Sequence, residues 1–176
     1  MKQRYTQTAI ALHWIMALLV ITVWLIALIA NDLPVSPERI LAISWHKWLG
    51  LTILWLVFVR LFWRATHPVP ELALNMPLWQ VRIMHFTHLA FYLLMITIPI
   101  LGWLMSSAKG YTVNYFGLFE LPDLVLKDKA NGRLLKQIHE ILANILISLV
   151  AVHVLAALKH HFWDKDGLLK RMSFFK

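Results

Sequence analysis

The chain has no cysteine. That excludes disulfides, iron–sulfur clusters and any thiolate ligand to a metal, so metal chemistry here has to use the nine histidines. Polar surface is also scarce. Only 15% of the 176 residues are charged, 60% are hydrophobic and the mean hydropathy is +0.65, whereas soluble domains are roughly 45–50% apolar. Neither an internal repeat nor a low-complexity segment occurs, and almost nothing is left over to build a soluble domain. Acids are few, and the formal net charge is +8. The basic residues fall at both ends of long apolar stretches, which suits contact with anionic lipid and argues against nucleic acid.

Four apolar stretches are present, at about 8–30, 40–63, 82–105 and 135–158. Each approaches the ~20 residues that a helix needs to cross a ~30 Å hydrocarbon core. They are continuous rather than alternating, and only helices or closed barrels satisfy the backbone in lipid. The expected fold is all-α: one domain, 1–176, forming an integral membrane four-helix bundle. A cleaved signal peptide is disfavoured, because the first stretch is too long, His13 and Trp14 interrupt it, and no small-residue cleavage site follows.

Four spans put both termini on one side. That side carries Lys2, Arg4, Arg60, Arg64, Arg82, Lys159, Lys165, Lys170, Arg171 and Lys176. The opposite side has fewer basic residues (Arg39, Lys47, Lys109, Lys127, Lys129, Arg133 and Lys136), mixed with acids. The positive-inside rule therefore predicts cytoplasmic termini. The connection 31–39 is short, with Pro34 and Pro37, so the first two spans should be antiparallel neighbours. The connection 65–81 holds Pro68, Pro70 and Pro77 and should be irregular. The longest connection, 106–134, contains KGYTVNYFGLFELPDLVL, apolar enough to lie at the interface, with a short helix over the bundle expected. Tryptophans near the span ends read as interfacial anchors.

The histidines form a pattern. His139 and His153 are fourteen residues apart, a spacing that returns to within ~40° of one helix face after a rise of ~21 Å. Counting along the spans places His13 at the depth of His153, and His46 at the depth of His139. Two pairs follow, each joining two helices at one level. Ionisable groups at membrane depth are rare and point to function. Two neutral imidazoles can fill both axial positions of a haem b iron inside a bundle, and two such haems would form an electron path across the membrane. Zinc fits less well, because it usually takes three or four protein ligands in one cluster.

Other residues extend this pattern. Arg60 lies fourteen residues after His46, on its face, where it could meet a haem propionate. Gly50 and Gly102 could let a porphyrin approach, or help helices pack. His85 and His88 mark the inner start of the third span and could face the inner haem edge or a quinone, or lie at the interface; His161, turned ~100° from His160, is left unassigned. His160 lies seven residues after His153, on the same face and ~10 Å nearer the cytoplasm. A histidine there is suited to deliver protons to a quinone being reduced. On the outer side Lys109, Lys127, Lys129, Arg133 and Lys136 accumulate, with Lys47 beside His46. Such a rim would steer a small anion inward.

Specific segments carry a family resemblance over the whole chain: YTQTAIALHW from Tyr5, RLFWR from Arg60, HFTHLAFYLL from His85, IPILGWLM from Ile98, QIHEILAN from Gln137 and HHFWDKDGLLKRM from His160. Together they resemble the bacterial cytochrome b561 family, and within it the superoxide oxidase type. The resemblance implies two haems b on His13 with His153 and His46 with His139. It also implies electron entry from the outer side, with superoxide as donor, and ubiquinone reduction toward the cytoplasm near His160. Lys136 and Arg133 are then the candidates for guiding superoxide. The sequence departs from the pattern in the loop PVPELALNMP, which has Glu71 and no lysine, in the extra Lys170 before Arg171, and in the ending SFFK.

The expected function is superoxide:ubiquinone oxidoreduction with no obligatory protein partner. Two other readings are a subunit that relays electrons between a partner dehydrogenase or hydrogenase and the quinone pool, and a non-redox proton-conducting bundle.

Overall fold

In the computed structural model, residues 4–70 and 77–174 are described. Lys2, Glu71, Lys176 and the last two residues of SFFK lie outside them. Four long helices dominate: α1 (Gln7–Asp32), α2 (Pro37–Thr66), α3 (Leu78–Lys109) and α4 (Lys129–Lys159). All four are long and apolar enough to cross a membrane.

Each helix outruns the apolar stretch that announced it, because capping residues carry it on into polar surroundings. The Thr6 hydroxyl accepts from Ala9 N–H at the start of α1. The Ser36 hydroxyl accepts from Arg39 N–H at the start of α2, with Pro37 in the first turn, where its missing N–H costs nothing. The Asp128 carboxylate accepts from Ala130 and Asn131 N–H to open α4. Gly110 closes α3 in the left-handed region, φ 77°, its N–H on the Ser106 and Ser107 carbonyls. At α1–α3 lengths of 26 to 32 residues the helices run roughly 39–48 Å, longer than the hydrocarbon core alone.

α1 packs chiefly on α2 and α3 on α4, with α2–α3 and α1–α4 contacts joining the two hairpins. The centre is a small apolar cluster of Met16, Val20, Ile53, Val57, Met95, Ile98 and Leu146. Most other large apolar side chains face outward: Leu18, Phe62, Leu89, Val152 and Leu155 are all more than half exposed. That distribution would be unstable in water and is what lipid contact calls for.

The connection 106–134 corrects one expectation. Instead of a short helix it forms an antiparallel hairpin, β1 (Val113–Tyr115) with β2 (Phe119–Leu121). Phe116 and Gly117 take positive φ (51° and 76°) in the turn, and Asn114 Oδ1 accepts from Gly117 N–H. Trp48 Nε1 donates to Asn114 O at 2.6 Å, Tyr115 Oη meets Thr52 Oγ1 at 3.0 Å, and Phe116 stacks on Trp48. The hairpin is thereby fastened onto α2.

At the opposite end the two termini meet. Trp14 Nε1 donates to Met172 O and Tyr5 N–H to Arg171 O. Trp63 Nε1 donates to Thr6 Oγ1 there, and Trp103 Nε1 donates to Pro122 O at the hairpin end. These indoles anchor chain segments to one another as well as marking an interface. Beyond α4 the chain widens into a π-helical turn (His160–Asp164), followed by a tighter 3₁₀ turn (Leu169–Met172).

Candidate functional site

The structure brings His46 of α2 to His139 of α4 at the hairpin end, ring centroids 6.0 Å apart. At the terminal end His13 of α1 and His153 of α4 are 6.3 Å apart. Both pairs were expected from depth counting. Along each helix the apolar cluster of Met16, Val20, Ile53, Val57 and Leu146 falls between the two levels and excludes water from the middle.

The hairpin-end pair is oriented by backbone. His46 Nδ1 lies 3.1 Å from Val23 O, and His139 Nδ1 lies 2.9 Å from Ile98 O. A carbonyl only accepts, so each Nδ1–H donates and each Nε2 keeps its lone pair. Metal-ligating histidines typically use that tautomer, with the other nitrogen donating to a carbonyl. Ring centroids 6.0 Å apart leave room for a metal bound at ~2 Å from one nitrogen of each ring.

Two glycines support the same reading. A Cβ on Gly102 would come 3.3 Å from His139 Cε1, so its absence seats the imidazole. A Cβ on Gly50, one turn from His46, would meet no protein atom within 4 Å, so helix packing does not account for that glycine.

The terminal-end pair is held differently. Arg60 Nη2 lies 3.2 Å from His13 Nδ1, and a guanidinium only donates, so this nitrogen accepts. His88 of α3 joins the group, its ring 6.4 Å from His153, with Phe91 at 5.4 Å. His88 Nδ1 is buried and has no partner among the described residues. Arg60, Arg64, Trp63, Tyr92 and His88 line one cleft with Tyr5 and Thr6. Two guanidiniums and an orphaned imidazole nitrogen in one cleft fit an anionic or carbonyl-bearing group.

From the sequence, His85 and His88 could face the inner haem edge, a quinone or the interface, since spacing within one span cannot say which way α3 is turned. His85 points away, exposed, with Nδ1 on Val81 O. His161 packs on Phe162. His160 meets two acids, Asp164 and Asp166, which the sequence reading passed over. The DKDG turn that follows α4 was the available signal.

At the hairpin end Lys136 lies one turn before His139 and is paired with Glu140 at 3.1 Å, both about half exposed. Arg133 is exposed. Lys47 Nζ sits 5.8 Å over the Tyr111 ring, and the Lys127 chain runs past Gly110. The charge of Lys136 is thus offset locally by Glu140, while Lys47 and Lys127 lie against Tyr111 and Gly110 at the foot of the hairpin.

The sequence of the prokaryotic cytochrome b561 family matches residues 4–174. Cytochrome b561 homolog 2 of Escherichia coli (strain K12) is 33% identical over 97% of this chain and 91% of its own length. Cytochrome b561 homolog 1 of the same strain is 31% identical, covering 96% of each chain. A probable superoxide oxidase CybB of Yersinia pestis is 31% identical over 98% of this chain and 97% of its own. With four membrane-spanning-length helices and a match over nearly its entire length, the chain belongs to the prokaryotic cytochrome b561 family, multi-pass bacterial membrane proteins of electron transfer that bind b-type haem.

Proposed function

We propose that this protein is a di-haem superoxide:ubiquinone oxidoreductase of the bacterial inner membrane, with both termini cytoplasmic and the hairpin end periplasmic. The observation that carries the reading is the pair of facing imidazole pairs, centred 6.0 and 6.3 Å apart on opposite sides of an apolar layer. His46 and His139 would hold one haem b, and His13 and His153 the other. Arg60 would then turn its guanidinium to a propionate. When bound, the haems supply one-electron carriers at two depths.

The protein's own groups do the rest. Val23 and Ile98 carbonyls hold Nδ1–H of His46 and His139, which would leave each Nε2 free to ligate a haem iron. The apolar cluster keeps water and protons out of the middle, so that electrons and protons travel separately. Lys136, Arg133 and their basic neighbours draw a small anion to the hairpin end. His160 holds a proton for the quinone at the terminal end. The similarity to a probable superoxide oxidase supports superoxide as the donor.

The relay-subunit reading shares every helix residue named here and differs only at the donor. The test is to mix purified protein with a superoxide source and a ubiquinone, then follow the visible spectrum, oxygen release and quinone reduction. Reduction of bis-imidazole haem by superoxide, followed by quinol formation, is the expected result. Haem that ignores superoxide but copurifies with, and is reduced by, a partner dehydrogenase would establish the relay instead. Protein without haem would sink both.

A further inference from the structure

His160 opens the π-helical turn after α4, with Nδ1 2.6 Å from Asp166 Oδ2 and 3.1 Å from Asp164 Oδ2. The two acids are not equivalent. Both Asp164 oxygens lie against Lys159 Nζ, at 2.9 and 2.6 Å, so that carboxylate already has its counter-ion. Asp166 is fixed by the backbone instead: its Oδ1 accepts from Leu168 N–H at 3.0 Å, across a turn that Gly167 makes at φ 74°. One oxygen is pinned and the other faces the imidazole. Such a carboxylate keeps the proton on Nδ1, leaves Nε2 as the working nitrogen and stabilises the imidazolium.

We propose that Asp166 is the positioning residue for proton delivery to the quinone, holding His160 as the Nδ1–H form so that Nε2 hands its proton to a quinone carbonyl oxygen. This rests on the proposed function. Two superoxide anions release two electrons and leave as two molecules of oxygen. One quinone takes those electrons and two protons, forming two O–H bonds. Each proton leaves Nε2 of the His160 imidazolium, which becomes the neutral Nδ1–H imidazole and regains a proton from water, while Asp166 stays ionised. His160, Asp164 and Asp166 have ligand atoms within 4.8 Å of one another, close enough for a cation. Lys159 already supplies the positive charge that a cation would bring, which favours the dyad.

The test uses the full-length, ¹⁵N-histidine-labelled protein in detergent, with Asp166→Asn, Asp166→Glu, Asp164→Asn and His160→Gln. The ¹⁵N shifts of His160, assigned by their loss in His160→Gln, report its tautomer. Stopped-flow oxidation of the reduced protein by a short-chain ubiquinone reports the quinone side, and reduction by superoxide reports the opposite side.

Asp166→Asn should lose the Nδ1–H signature and slow oxidation by quinone on the order of tenfold, part of the ~10²–10⁴ that a placed acid supplies. Reduction by superoxide should stay within about twofold. Asp166→Glu should recover most of the rate, and Asp164→Asn should match the wild type. The proposal is overturned if Asp166→Asn keeps both tautomer and rate, if Asp164→Asn is equally impaired, or if a chelator slows the wild type and zinc restores it. A wild type that passes no electrons to quinone would bring down the proposed function and this role together. A competent wild type matched by Asp166→Asn would bring down this role alone.

Discussion

The two imidazole pairs are alike in spacing and unlike in support. At the hairpin end each ring is tied to a helix carbonyl, and one rests on a glycine. At the terminal end His13 is tied to an arginine side chain, and a third histidine, His88, stands as near to His153 as His13 does. Backbone carbonyls cannot swing away, so the first pair is pre-set in one tautomer. A guanidinium can turn, so the second pair can exchange hydrogen-bond partners. Under the proposed function, the rigid pair would sit where only electrons enter and the adaptable one where electrons meet protons.

The largest test of this contrast is ligand deletion. His139→Ala and His153→Ala should each lower haem from two to one per chain, and the haem that remains should differ in potential and spectrum. Loss of both from either change would show the pairs to be interdependent. His88→Ala decides the ambiguity at the terminal end. It should keep two haems where His13→Ala keeps one, as read by pyridine haemochrome, and the reverse result would reassign the ligand.

Next comes Gly102→Ala, which crowds the His139 ring. Overpacking of this kind costs ~1–3 kcal/mol, so haem affinity at the hairpin end should fall about tenfold or more by titration of reconstituted protein. The terminal-end haem should be untouched. Arg60→Gln should do the converse, weakening or shifting only the terminal-end haem by a comparable amount, read by redox titration. The smallest effect is expected from Lys136→Gln. Its charge is exposed and shared with Glu140, so the superoxide reaction should slow only about twofold to threefold and lose part of its ionic-strength dependence. An unchanged salt dependence would remove Lys136 from any guiding role.

Much of this was legible before any coordinates. A helix rises by a fixed amount per residue, so counting was enough to match His13 with His153 and His46 with His139. The third span was less readable. His88 joins the terminal-end group and His85 does not, a choice that depends on how α3 is rotated. The connection 106–134 was misjudged because its apolar content reads equally as helix or strand. The Phe116–Gly117 turn and the Trp48 and Thr52 contacts on α2 decide for a hairpin. Span ends were read short because hydropathy registers only the oily middle, while Ser36, Asp128 and Gly110 extend the helices by capping them.

The sequence alone was enough for the four spans and for matching His13 with His153 and His46 with His139 along the helices, since hydrophobic length and helical rise are local properties of the chain. Tertiary packing sets how those histidines are held: which carbonyl fixes a tautomer, which glycine seats a ring, and that His160 meets both Asp166 and the Lys159-paired Asp164. Those outcomes depend on helix rotation and on chain segments far apart in sequence, which no local pattern specifies.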